Sequence, residues 1–116
     1  MIGIGTDIVE NERVRKALNE SFMKKVLSKE EMERAGEFRN DRLIAFVAGR
    51  FAAKEAIIKC LSDYELPIMT DLNITNNEKG KPEISYKNYR ILISISHERN
   101  YSIAVASLEG FIEEQI

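Results

Sequence analysis

Between Arg42 and Leu61 the chain runs without a proline through five alanines and one glycine, with apolar residues on a wide arc of the helical wheel. Asp41 stands where a helix cap belongs. A helix this apolar has to be buried on more than one side, so the other elements must be arranged around it. One position is out of character. At about 100° per residue, Lys54 projects between Leu43, Val47, Ile58 and Leu61. An ammonium there loses its hydration unless it snorkels outward or meets an anion. Glu55 follows, beside Ala48 and Ala52, with Lys59 one turn further on. Small neighbours let a ligand or another element approach that carboxylate. The plainer reading is a solvated Lys54 and a surface Glu55–Lys59 pair at i, i+4.

The N-terminal segment Met1–Glu10 reads with period two. Ile2, Ile4, Thr6 and Ile8 share one face, and Gly3, Gly5, Asp7 and Val9 share the other. Glycines weaken a strand, so they mark a place where another backbone or a ligand passes closely. Here they flank Asp7 on its own face. An aspartate late in a strand would, alone, cap the next helix. Together the two segments offer one carboxylate on a strand, one on a helix, and cations beside them. Magnesium sites that act on phosphates take one or two protein carboxylates and complete the octahedron with water and substrate oxygens. Lysine and arginine then match the remaining phosphate charge.

The rest of the chain orders itself simply. A helix runs from Glu10 or Asn11 to about Asn19, and a short one from Ser21 to Leu27. Ser28-Lys29-Glu30-Glu31 has the form of a capping box, opening a helix that Gly36 ends. After the long helix come a loop at 62–70 and a strand at Leu72–Thr75. A turn at 76–81 leads to an edge strand from Pro82 to Tyr86. Ile91, Ile93 and Ile95 alternate with Leu92, Ser94 and Ser96, and Tyr101 to Ser107 alternates likewise, with a hairpin turn between. Helices early and strands late, without βαβ regularity, predict an α+β fold. Its mainly antiparallel sheet packs on one long central helix with short helices beside it.

A length of 116 residues argues for a single domain over 1–116. The net charge of −2 excludes a general nucleic-acid footprint. No apolar run is long enough to cross a bilayer, and the first ten residues lack a basic leader. With Cys60 as the only cysteine, no internal disulfide forms, and a cytoplasmic setting is the simpler expectation. Cys60 itself reads as a packing residue. Arg13, Arg15, Lys16, Lys24, Lys25 and Lys29 face a single acid, Glu20, over one stretch. Such a patch suits an acidic macromolecular partner or is a solvated helix face.

Four segments also carry a family resemblance: Gly3-Ile-Gly-Thr-Asp-Ile-Val-Glu10, Gly49-Arg-Phe-Ala-Ala-Lys-Glu-Ala56, Gly80-Lys81-Pro82 and Ser94-Ile95-Ser96-His97. In order and spacing they resemble the holo-acyl-carrier-protein synthases, the small 4′-phosphopantetheinyl transferases of bacterial fatty-acid synthesis. The match spans residues 1–107. It implies transfer of phosphopantetheine from coenzyme A to a serine of an acyl carrier protein, releasing adenosine 3′,5′-bisphosphate. Asp7 and Glu55 match the family's magnesium ligands, and with Lys59 they form the implied catalytic set. Arg50, Lys54, Lys59, His97, Gly80 and Pro82 match positions on the coenzyme, His97 as a phosphate contact. The base that takes the serine proton stays open between Glu55 acting through a water and the metal's own water. Arg13, with Arg15 and Lys16, falls where the family recruits the acidic helix of the carrier.

The resemblance further implies a homotrimer with active sites at subunit boundaries, consistent with the small-residue face of the long helix. The loop at 62–70 departs from the family pattern: it lacks glycine and holds two acids, Asp63 and Glu65. A competing reading is a non-catalytic module that binds a magnesium-nucleotide or an acidic partner.

Overall fold

The apolar arc of the long helix is met from two sides. The computed structural model describes residues 1–113, so the last three positions of the 1–116 expectation lie outside it. In chain order it has β1 (Gly3–Glu10), α1 (Asn11–Ala17), α2 (Glu20–Val26), α3 (Lys29–Ala35) and α4 (Asn40–Cys60). A 3-10 turn at Met69–Asp71 follows, then β2 (Ile74–Asn76), β3 (Pro82–Ile84), β4 (Tyr89–His97) and β5 (Tyr101–Phe111). The first half of α4 buries Ile44 and Val47 against Val14 of α1 and against Val26, Leu27 and Ala35 of the α2–α3 region. The second half buries Ala52, Ala56, Ile57 and Leu61 against Leu72, Ile74 and the sheet residues Ile93, Ala104, Ala106 and Leu108. The α+β class and the central helix are as the sequence predicts.

The main sheet is antiparallel in the order β1-β5-β4, and β2 with β3 forms a separate hairpin. Its register sets Gly5 opposite Ala106, Asp7 opposite Ala104 and His97 opposite Ser102. The capping box forms as the sequence indicates: Ser28 accepts from the Glu31 amide, and the Glu31 carboxylate accepts from the Ser28 amide. The helical start is shifted. Arg39, not Asp41, occupies the cap of α4 without a side-chain bond, and Asp41 lies in the first turn, where its charge suits the helix dipole.

The two faces of β1 are assigned against hydrophobicity. Ile4 and Ile8 are each about three-fifths exposed, whereas Gly5 is buried. The reason is steric. A Cβ at Gly5 would lie 2.0 Å from the Ala56 carbonyl oxygen, and one at Gly3 would lie 2.3 Å from that of Cys60. The close neighbour that the glycines admit is therefore the α4 backbone. Of the small residues of α4 with which the homotrimer expectation is consistent, Ala52 and Ala56 are covered by this chain's own core. The open apolar surface lies on the far side of the sheet, where Ile4, Ile8, Leu92, Ile103 and Val105 are exposed. Among the described residues no helix is long and apolar enough to cross a membrane.

Candidate functional site

Because α4 lies so close to β1, a helical carboxylate and a strand carboxylate meet at one cleft. The cleft, about 430 Å³, is lined by Asp7 of β1, Arg13 of α1, Glu55 of α4 and the rings of Phe22 and Phe51. Those rings stack at 6.0 Å between centroids and form an apolar wall. Lys59, one turn beyond Glu55, donates from Nζ to the Thr6 carbonyl at 2.9 Å and to Asp7 Oδ1 at 3.2 Å. Its side chain stays half-exposed, so the ammonium has room to take a further acceptor.

Glu55 stands apart from the other half-buried acids. Among the described residues its carboxylate takes no hydrogen bond and no ion pair within 4.0 Å. Burial, and then the nearby Asp7 charge, push its carboxyl above the ordinary glutamate range, while Lys59 opposes them. Two carboxylates repelling across a cleft are relieved by a cation between them. No group of three or more His, Cys, Asp and Glu forms among the described residues. The donors here are thus two carboxylates, the number magnesium takes from a protein when phosphate and water supply the rest.

A second group gathers on another side of the helix. Five positions separate Arg50 from Glu55, which is about 140° around α4. Arg50 is 6% exposed, its guanidinium 4.7 Å over the Phe46 ring. It donates from Nη2 to Asn76 Oδ1 at 2.7 Å, and Asn76 in turn donates from Nδ2 to the Gly80 carbonyl at 2.9 Å. Arg50 therefore steadies the Gly80–Pro82 turn. His97 ends β4 against Gly49 of α4, where a Cβ would come within 2.8 Å of the ring. Burial, and then the Arg50 charge, hold its imidazole below the usual histidine range.

Lys54 requires a correction. The family resemblance sets it among the coenzyme contacts, but the residue is 0% exposed. Its ammonium donates to the Val26 carbonyl, the Met69 carbonyl and the Glu31 carboxylate. Three donors meet three acceptors, and no phosphate can reach it. Glu31 also accepts from the Ile74 amide at 3.1 Å and lies 3.5 Å from Arg50 Nε. This carboxylate is the residue sequence reasoning missed. It is visible there only as the fourth position of a capping box, while the anion that Lys54 calls for stands 23 positions away.

Of the basic residues on α1, Arg13 is exposed and lines the cleft, and Lys16 is exposed. Arg15 is instead held by Asp41 and Glu12. Cys60 is buried and its thiol is pushed up to about 11, which keeps it protonated and unreactive. In the glycine-free loop, Glu65 accepts from Tyr86 Oη at 3.2 Å and Lys87 Nζ at 2.8 Å. These bonds tie the loop to the strand region after β3.

The family model of the 4′-phosphopantetheinyl transferase superfamily matches residues 3–106. The holo-[acyl-carrier-protein] synthase of Bacillus cereus (strain G9842) is 41% identical over 116 aligned residues, covering 95% of this chain and 97% of that protein. Among solved structures, a Bacillus anthracis holo-(acyl-carrier-protein) synthase in complex with CoA (3′,5′-ADP) is similar with a TM-score of 0.84 and 34% identity. That match covers 92% of this chain and 95% of the other. The Neisseria meningitidis holo-[acyl-carrier-protein] synthase gives a TM-score of 0.83 and 28% identity, covering 95% of this chain and 100% of that one.

Proposed function

The chain belongs to the 4′-phosphopantetheinyl transferase superfamily, and from that premise we propose that it moves the 4′-phosphopantetheine arm of coenzyme A onto a serine of an apo acyl carrier protein, in the service of fatty-acid synthesis. The serine oxygen attacks the phosphorus on the pantetheine side of the diphosphate. The bond to the second phosphate breaks, adenosine 3′,5′-bisphosphate leaves, and the serine proton passes to a base at the cleft. Such chemistry needs positioning and charge stabilisation more than covalent help.

The observation that carries this reading is the Glu55 carboxylate, half-buried and, among the described residues, without a donor, in one cleft with Asp7 and Arg13. Asp7 and Glu55 would hold magnesium, which when bound supplies Lewis-acid charge stabilisation to the diphosphate. Lys59 contacts phosphate from the side of Asp7. Arg13 with Lys16 meets the acidic carrier, and Arg15 contributes from behind its Asp41 pair. Arg50, His97, Gly80 and Pro82 form the coenzyme group on the other side of α4. The exposed apolar sheet face supports a homotrimer, and a second copy seated there gives the two groups a way to complete one site. The whole of 1–116 is then one transferase domain acting in the cytoplasm.

The test is intact-mass measurement of an apo acyl carrier protein incubated with this protein, coenzyme A and magnesium. A gain of roughly 340 Da that EDTA prevents is the expected result for metal-assisted transfer. No gain with several carriers and a folded protein would favour the module that binds without transferring.

A further inference from the structure

Behind His97 stands a short chain of hydrogen bonds that no step above uses. Asn11 donates from Nδ2 to the Glu98 and Arg99 carbonyls, both at 3.3 Å. Carbonyls only accept, so the amide is oriented with Oδ1 toward Ser102. Ser102 Oγ lies 2.8 Å from that oxygen and must give it the hydroxyl proton. The same Oγ meets His97 Nδ1 at 3.0 Å. With its single proton committed to Asn11, the hydroxyl can only accept there, so Nδ1 carries the hydrogen. Ser102 is 0% exposed, and water does not compete for it. A neutral His97 therefore keeps its lone pair on Nε2.

A lone pair repels a phosphate oxygen, whereas a protonated Nε2 donates a charge-assisted bond to it. We propose that Asn11 and Ser102 are positioning residues that hold His97 in the Nδ1–H tautomer, so that an anionic coenzyme is bound at His97 only with uptake of a proton on Nε2. The coupling rests on reading His97 as a coenzyme contact; the tautomer does not. The charged groups around the ring and its hydrogen-bond chain are Arg50 of α4, Glu98 and Arg99 of the turn after β4, Glu10 and Glu12 flanking Asn11, and the Arg15–Asp41 pair in the cleft beside Asn11. Glu98 accepts from the Arg99 amide and Glu12 from Arg15, while β5 brings no charge beside the ring. Arg50 is thus the group that acts on His97 in the free protein, and it favours the neutral ring. An arriving phosphate reverses that balance.

His97 is the only histidine, so nitrogen-15 NMR of untagged protein reports on this ring alone. The expected spectrum of the neutral ring shows a protonated Nδ1 and a lone pair on Nε2. Ser102→Ala and, separately, Asn11→Ala should shift it toward a mixture of tautomers. A protonated Nε2 in the neutral wild-type ring would overturn the assignment with no variant needed. Calorimetry with coenzyme A, in two buffers of different ionisation heat, then reads the coupling. Wild type should take up about one proton more than Ser102→Ala, and its Kd should weaken by up to about tenfold per pH unit above neutrality. The phosphate monoester of the ligand, titrating near pH 6, is common to both proteins. Equal uptake by both would overturn the coupling. Absent coenzyme binding with the tautomer intact would overturn the coupling too, and with it the coenzyme reading, leaving the hydrogen-bond chain as a structural device.

Discussion

Lys54 and Glu55 are neighbours in the chain and lie about 100° apart on α4, yet they occupy opposite kinds of environment. The lysine is sealed, and each of its three N–H groups has an acceptor. The glutamate is half-buried beside a second carboxylate and, among the described residues, has no donor. Burying a charge is tolerable when every partner is supplied, and removing one partner then leaves the other stranded. Leaving a carboxylate unpaired is tolerated where a ligand supplies what the fold withholds. The same eight-residue motif thus contains a brace and a site. The completeness of the hydrogen bonding separates them, and the residue type does not.

The largest effect that would break this comparison is on stability. Lys54→Met keeps length and apolar stem but takes the buried ion-pair partner from Glu31, leaving it only amides and Arg50, and leaves the Val26 and Met69 carbonyls without that donor. The expected loss is about 3–5 kcal/mol in urea unfolding; a loss below 1 kcal/mol would deny the brace. Next comes Glu55→Gln, which should lower turnover by roughly 10²–10³-fold with the unfolding midpoint held or slightly raised. The sign follows from the raised carboxyl: the folded state holds the protonated form better, so ionised Glu55 detracts from stability above its folded pKa, and the amide removes that penalty. Retained turnover would sink the metal assignment.

A third outcome sharpens the same contrast. A divalent ion competes with a proton at Glu55, so magnesium affinity should fall with decreasing pH, beginning above the ordinary glutamate range, and Glu55→Gln should abolish that dependence. Isothermal titration at several pH values checks it; a dependence that survives Glu55→Gln would place the proton elsewhere. The smallest effect concerns the rim. Arg13→Glu should raise the KM for the carrier by about tenfold and leave that for coenzyme A nearly unchanged. Equal changes in both would remove Arg13 from the carrier surface.

The period-two pattern of β1 was legible, and so was the meeting of Asp7 with Glu55. Which face of β1 turns inward was not, because hydrophobicity favours Ile4 and Ile8 while backbone clearance favours Gly3 and Gly5. Clearance is a property of two elements together and leaves no mark in either alone. Lys54 announced its need for an anion on the helical wheel, but its partner had a complete local explanation as a helix cap. Asn11 and Ser102 left no signal at all, since the chain of bonds from Asn11 through Ser102 to His97 forms only once α1, β4 and β5 are assembled.

The approach of Gly3 and Gly5 to α4 has a consequence for anyone who alters this protein. Spacing between a helix and a strand is ordinarily set by the bulk of the side chains between them, so repacking shifts whatever the two elements carry. Here carbonyl oxygens of Ala56 and Cys60 stand where the glycines would have a Cβ, and main-chain atoms set the gap. Libraries at Ile57, Leu61, Leu72 or Ile93 can therefore be screened for heat resistance with the separation of Asp7 and Glu55 left in register. The same tolerance should vanish at the two glycines, where a single added methyl would pry the carboxylates apart.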